Sequence, residues 1–199
     1  MDRIKIKQLA KKNIKGKILT IFALTLLVSL VTGVFAFLPF AGLVAMVLVT
    51  GPITLSWSSI YLNIIRKNKA PLVDDLLTGF KSDNFLRGVV GMIYYEIFVF
   101  LWSLLFVIPG IIKSISYSQM FFIMMDNPKM EGAEAQKKSM KLMEGHKMEY
   151  FILQLSFFPW MLLTFVTFGL AAIYVNPYIN ATNAAFYDKL VGKSAKKSK

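Results

Sequence analysis

From Ile18 to Ile65 the chain carries no Asp, Glu, Lys or Arg, an unbroken run of 48 residues. A bilayer crossing needs about 20 apolar residues, so the run is too long for one buried core helix and holds two crossings. The composition agrees. Hydrophobic residues make up 56% and charged residues 17%, against about 45–50% and about 25% in soluble domains. The net charge of +12 raises nucleic acid as a partner. It is set aside because the basic residues stand in blocks that flank the apolar segments. The 199 residues include no Cys and one His, which excludes disulfides, thiolate metal sites and a multi-histidine site within one chain. No cofactor is expected.

The basic N-terminus followed by an apolar stretch could be a secretory signal. That stretch runs about 20 residues, beyond the 7–15 of a signal segment, and no small-residue cleavage site follows it. It reads as a retained first crossing. Apolar stretches then place crossings at 18–38, 43–65, 85–107, 111–125, 150–167 and 170–187. Pro39-Phe40-Ala41-Gly42, Pro109-Gly110 and Phe168-Gly169 are the turn signals between them. The chain therefore reads as an all-α polytopic membrane protein. Six transmembrane helices form three hairpins, 18–65, 85–125 and 150–187, in a single domain 1–190. The basic tail 191–199 is expected to be disordered. Pro52 and Pro177 fall at similar points of two second arms, each with an aromatic nine residues later (Tyr61, Phe186). That is the mark of an internal repeat, or simply of a six-helix chain with short outer turns.

The segment 111–125 is the weak member. At 1.5 Å per residue it spans about 22 Å, short of the ~30 Å hydrocarbon core. Charge decides for it. Of 23 Lys and Arg, 22 lie in four blocks, 1–17, 66–87, 126–149 and 188–199. Six crossings put all four on one side, and the positive-inside rule makes that side, with both termini, cytoplasmic. Lys113 is the exception, and its long stem can carry the ammonium to the outer interface. Two polar segments read as cytoplasmic amphipathic helices lying on the membrane. One is 1–17, with Ile4, Ile6, Leu9 and Ile14 opposite its lysines. The other lies within 126–149, with Met130, Ala133, Met140 and Met143 on one face and Glu134 four residues before Lys138. Lys11, Lys12, Lys137, Lys138 and Lys141 are the candidate contacts for anionic headgroups, each worth about 1 kcal/mol near the surface.

Glu96 is the only acidic residue inside a hydrophobic segment. At that depth an ionised carboxylate costs roughly 2.5–3.5 kcal/mol on insertion scales, so it is expected to face the bundle interior. No pair with Lys113 is expected, the two being about 13 Å apart in depth. Asn176, Asn180 and Asn183 recur on one helix face and, with Glu96, make a candidate intramembrane polar site. The functional reading is a proton, cation or solute path. The plainer one is hydrogen bonding that locks helices together. His146 has no catalytic partner nearby and reads as an interfacial residue at a helix start. No hydrolase, zinc-protease or phosphate-loop motif is present, and no catalytic residue is assigned.

Some stretches carry a resemblance. They are Leu101-Trp102-Ser103-Leu104-Leu105-Phe106-Val107-Ile108-Pro109-Gly110-Ile111-Ile112-Lys113, Tyr117-Ser118 and Asp126-Asn127-Pro128, then Glu134-Ala135, Lys138-Ser139, Met143-Glu144-Gly145-His146-Lys147, Pro177-Tyr178 and Phe186-Tyr187. Together they resemble the bacterial multi-pass membrane proteins of domain-of-unknown-function family 975, most strongly from 85 to 190. The resemblance implies a helical plasma-membrane protein. It implies no activity and transfers no functional residue. The expected partners are the bilayer and its anionic headgroups, with a membrane-protein partner or a second copy of the chain beside them. The expected role is that of a non-enzymatic accessory or scaffold protein, with a transporter or channel as the other reading.

Overall fold

In the computed structural model, residues 2–35, 41–105 and 107–197 are described, and every regular element among them is helical. The elements are α1 (Arg3–Ile14), α2 (Ile18–Phe35), α3 (Ala41–Lys67), α4 (Val73–Leu76), a 3-10 turn (Thr78–Phe80), α5 (Ser82–Leu105), α6 (Val107–Tyr117), α7 (Met120–Asp126), α8 (Gly132–Leu142), α9 (Lys147–Leu155), α10 (Phe158–Val166) and α11 (Ala172–Lys197). Among the described residues, four stretches are long and apolar enough to cross a membrane: Ile18–Phe35, Val44–Lys67, Ser82–Leu104 and Lys147–Val166. The other two expected crossings fall short of that standard. The fourth is interrupted at Ser118 and Gln119, between α6 and α7. α11 dilutes its apolar residues with three Asn and a charged last third.

Local chemistry sets the boundaries. Asp2 caps α1, its carboxylate accepting from the backbone N–H groups of Ile4 and Lys5 at 3.1 and 3.3 Å, which satisfies donors the helix leaves free. Gly16 at φ 80° turns the chain from α1 into α2, and Gly145 at φ 75° does so between α8 and α9. Only glycine takes that backbone region without strain. Of the expected outer turn at 39–42, Pro39 and Phe40 lie outside the described residues, and Ala41 and Gly42 already belong to α3. Pro109-Gly110, expected as the next turn, lies within a helix. α5 ends at Leu105 and α6 begins at Val107, so Pro109 sits in the first turn of α6, where a missing N–H costs nothing. The Phe168-Gly169 break is present, with both residues at positive φ. The fifth stretch has a second break, at Ser156 and Phe157, because Pro159 near the start of α10 cannot donate backwards. α11 continues to Lys197, into the segment whose composition leads to an expectation of disorder.

The contacts form a closed ring. α3 lies against α5, α6 against α9, and α11 against α2. Each second arm therefore touches the first arm of the next hairpin, and the last returns to the first. The short helices follow the same rule: α4 and the 3-10 turn pack on α3, α8 on α7, and α1 on α11.

Burial is concentrated at the basic end. Ile6 and Ile14 of α1, Ile60 and Ile64 of α3, Met120 and Met124 of α7 and Phe186 of α11 are all buried. At the other end Leu30, Val34, Val44, Leu104, Phe165 and Leu170 are exposed. Lipid tails solvate such side chains as well as a protein core does, so they supply no force to close the helices up.

The amphipathic helices do not lie with their apolar faces on the membrane, as the sequence suggests. α1 buries Ile6, Ala10 and Ile14 against the bundle. α8 buries Gly132, Ala135, Gln136 and Ser139, with Met143 just beyond its end, while Met130, Ala133 and Met140 are only half-buried. For α8 a polar contact adds to the apolar burial. Ser139 is fully buried and clips the α6–α7 break, its hydroxyl donating to the Ser116 carbonyl at 2.7 Å and accepting from Gln119 N–H at 3.2 Å. Ser56 does the same in α3, donating to the Leu76 carbonyl at 2.6 Å and accepting from Gly79 N–H at 2.8 Å.

Candidate functional site

Three places could carry function, and each starts from residues on short or interrupted helices. The first is the outer face of α1 and α8. With Ile6, Ala10 and Ile14 turned inward, Lys11 and Lys12 are exposed; with Ala135 and Ser139 inward, so are Lys137, Lys138 and Lys141. The expected Glu134–Lys138 pair does not form among the described residues, both side chains being exposed. Lys138 reaches Asn127 Oδ1 at 3.4 Å instead. Lys7 and Lys17 of the N-terminal block turn in, Lys17 bonding Asn13 and Asn68 and Lys7 the break between α9 and α10. The Lys7 ammonium donates to Ser156 Oγ at 3.0 Å and to the Ser156 carbonyl at 3.3 Å, and stands 4.1 Å from the centre of the Phe157 ring. Burial lowers its pKa, yet the contacts place a cation on the last carbonyls of α9, where the helix dipole favours one.

The second place is Glu96. It does not face the bundle interior. It is exposed on the flank of α5 and lines a groove with Met46, Val47 and Thr50 of α3 and Met92, Ile93 and Ile97 of α5. No hydrogen bond or ion pair to Glu96 is present among the described residues. Lys113 is turned elsewhere, its ammonium 4.3 Å from the centre of the Trp102 ring, a cation–π contact that desolvation strengthens.

The asparagines do not join Glu96. Asn176 is exposed beside Phe22 and Thr25 of α2. Asn180 donates to the Asn176 carbonyl at 3.0 Å and meets the buried Tyr61 hydroxyl. Asn183 accepts from Gln154 Nε2 of α9. Asn180 and Asn183 bind α11 to α3 and α9, which is the helix-locking reading, and Glu96 lies apart from the three asparagines.

The third place escaped the sequence reading. At the basic ends of α3, α7 and α11, Arg66 donates two bonds to Asp126, at 2.6 and 2.8 Å, and a third to Asp188 at 2.7 Å. The Tyr187 hydroxyl donates to Asp126 at 2.9 Å, and its ring stacks on Phe122 at 5.4 Å. Burial alone would raise the Asp126 pKa, but the Arg66 and Tyr187 hydrogen bonds outweigh it and hold it below the usual value. Arg87 makes a second clamp, donating to the carbonyls of Met124, Asn127 and Met130 at 2.9, 3.0 and 3.1 Å. The available signal was position: Arg66 and Asp126 each stand at the boundary where an apolar stretch meets a basic block, and Asp188 is the one acid of the last block.

These features define a class: an all-α protein with several helices able to cross a membrane, clamped together at its basic end. Within that class the chain belongs to the family described as "Protein of unknown function (DUF975)", whose model matches residues 1–116 and 104–194. No curated protein and no solved structure matches the chain.

Proposed function

We propose that this chain is a non-enzymatic accessory or scaffold protein of a bacterial plasma membrane, working through anionic lipids and membrane partners. The observation that carries the reading is the seating of α1 and α8. Their inner faces are locked in the core, so Lys11, Lys12, Lys137, Lys138 and Lys141 are held outward as a fixed set of cations. Charges fixed by a rigid scaffold lose little entropy on meeting a headgroup.

The reading includes six crossings with both termini and all four basic blocks on the cytoplasmic side. α6 and α7 together run from Val107 to Asp126, enough residues for about 30 Å at 1.5 Å per residue, which supports counting the fourth segment as a crossing despite its break. α11 has the length for the sixth, with Asn180 and Asn183 partnered within the bundle. The separation of Glu96 from Asn176, Asn180 and Asn183 weighs against a transport path through them.

The test is thermal unfolding of purified protein in phosphatidylcholine nanodiscs with and without phosphatidylglycerol. Anionic lipid should raise the midpoint, and replacing the five lysines by Gln should abolish the rise. An unchanged wild-type midpoint refutes the lipid part. Flux of a solute into proteoliposomes that falls on Glu96→Gln would establish the transporter reading instead.

A further inference from the structure

We propose that the groove between α3 and α5 is a lateral binding site for a membrane-dissolved amine, a small hydrophobic body carrying one ammonium group that pairs with Glu96. The argument begins where the two helices cross. A side-chain carbon on Gly51 would collide with the Gly88 carbonyl, and one on Gly88 would meet Pro52 N at 2.8 Å, so the backbones touch there. Beyond the crossing the helices part. Met46, Val47 and Thr50 face Met92, Ile93, Glu96 and Ile97 across a groove of about 350 Å³ that opens sideways.

Glu96 is eight residues beyond Gly88 in α5, about 12 Å along the axis. It therefore lies deep in a stretch long and apolar enough to cross a membrane. Hydrocarbon penalises an unpaired carboxylate heavily. Inside the bundle the residue would have a donor, but it is exposed, and none reaches it among the described residues. Thr50 is occupied, its hydroxyl donating to the Met46 carbonyl at 2.6 Å. What complements this groove is one cation with an apolar body. The volume is at the small end of ligand pockets, about 300–1,000 Å³, which suits a single short chain better than a two-chain lipid. Met46 and Met92, being flexible, adapt to its shape. The inference rests on α5 being membrane-embedded and is independent of the accessory role.

Dodecylamine is the probe and dodecanol its uncharged control, each titrated onto the protein in phosphatidylcholine nanodiscs and corrected for partition into empty ones. The amine should bind saturably and about tenfold more tightly than the alcohol, the worth of one charge-assisted hydrogen bond. Glu96→Gln should erase that preference without moving the unfolding midpoint, and Ile93→Trp should weaken both probes by filling the groove. Adding a hydrophobic carbodiimide should join amine to carboxyl as an amide at Glu96, the carbodiimide taking up the water to become a urea, with the mass found on the Glu96 peptide. Equal affinity for amine and alcohol overturns the proposal, as does a preference that survives Glu96→Gln, or an amide on another carboxyl. A wild-type dimer that Glu96→Gln converts to monomer assigns the groove to a second copy of the chain and overturns it too.

Discussion

Arg66 lies in the last turn of α3, and its guanidinium holds Asp126 of α7 and Asp188 of α11 at once. A planar fork meeting one carboxylate through two bonds is among the stronger ion-pair geometries, although partial exposure and salt discount it. Arg66→Gln is therefore expected to cost about 1–2 kcal/mol in detergent unfolding at neutral pH. The pH dependence has a definite sign. The folded Asp126 pKa lies below its ordinary 3.8, so its stabilisation is complete above that value and is lost as pH falls through the folded one. Wild type should lose this increment below about pH 4, and Arg66→Gln, which keeps only the Tyr187 bond to Asp126, should lose less. Ser139 supplies a second test. Ser139→Ala leaves the Ser116 carbonyl and Gln119 N–H buried without their partner, a cost of about 1–3 kcal/mol. Lys137→Ala, exposed on the same helix, should stay within about 0.5 kcal/mol. Arg66 did not stand out in the sequence, and Ser139 did so only as part of the family resemblance without a role, because each owes its role to residues distant along the chain. Glu96 did stand out, and rightly as an anomaly. Its direction was misjudged because the cost of a carboxylate in lipid says that it needs a partner, not on which face of α5 the partner stands.

The helices themselves were largely legible, since uncharged runs and glycine turns act within a few residues. The breaks were less so. The interruption at Ser156 and Phe157 follows from Pro159 and was readable; the one at Ser118 and Gln119 has no proline and is held by Ser139 from α8. The faces of α1 and α8 were read for the wrong surface, because an apolar stripe fits a bilayer and a bundle equally well. What seats these elements is close approach, and substitution at a crossing tests it. Gly51→Ala drives a methyl into the Gly88 carbonyl, so α3 and α5 must separate. A loss of about 1–3 kcal/mol should appear in unfolding, and Gly33→Ala, with open space around it, should lose none.

For the whole molecule, the uncharged run and the four basic blocks carried the reading of a membrane protein, and the family match covers nearly the whole chain. The ring of contacts, in which the last arm returns to the first, lay beyond the sequence. The repeated prolines hinted at it, but ring closure depends on pairs more than 100 residues apart, such as Lys7 and Ser156. Sidedness can be measured directly because the chain has no Cys. In sealed cells, a single Cys at Lys137 should resist an impermeant thiol reagent, and one at Phe168, exposed in the α10–α11 turn, should react. Labelling at Lys137 from outside would end the six-crossing arrangement. One mechanical consequence follows from where the packing sits. On the proposed topology the clamped basic end lies at the inner leaflet and the exposed far ends face lipid, so the helices would act as levers hinged at that leaflet. Thinning or thickening of the membrane would be taken up by changes in their spread, while the knot of side chains at the fulcrum stays as it is.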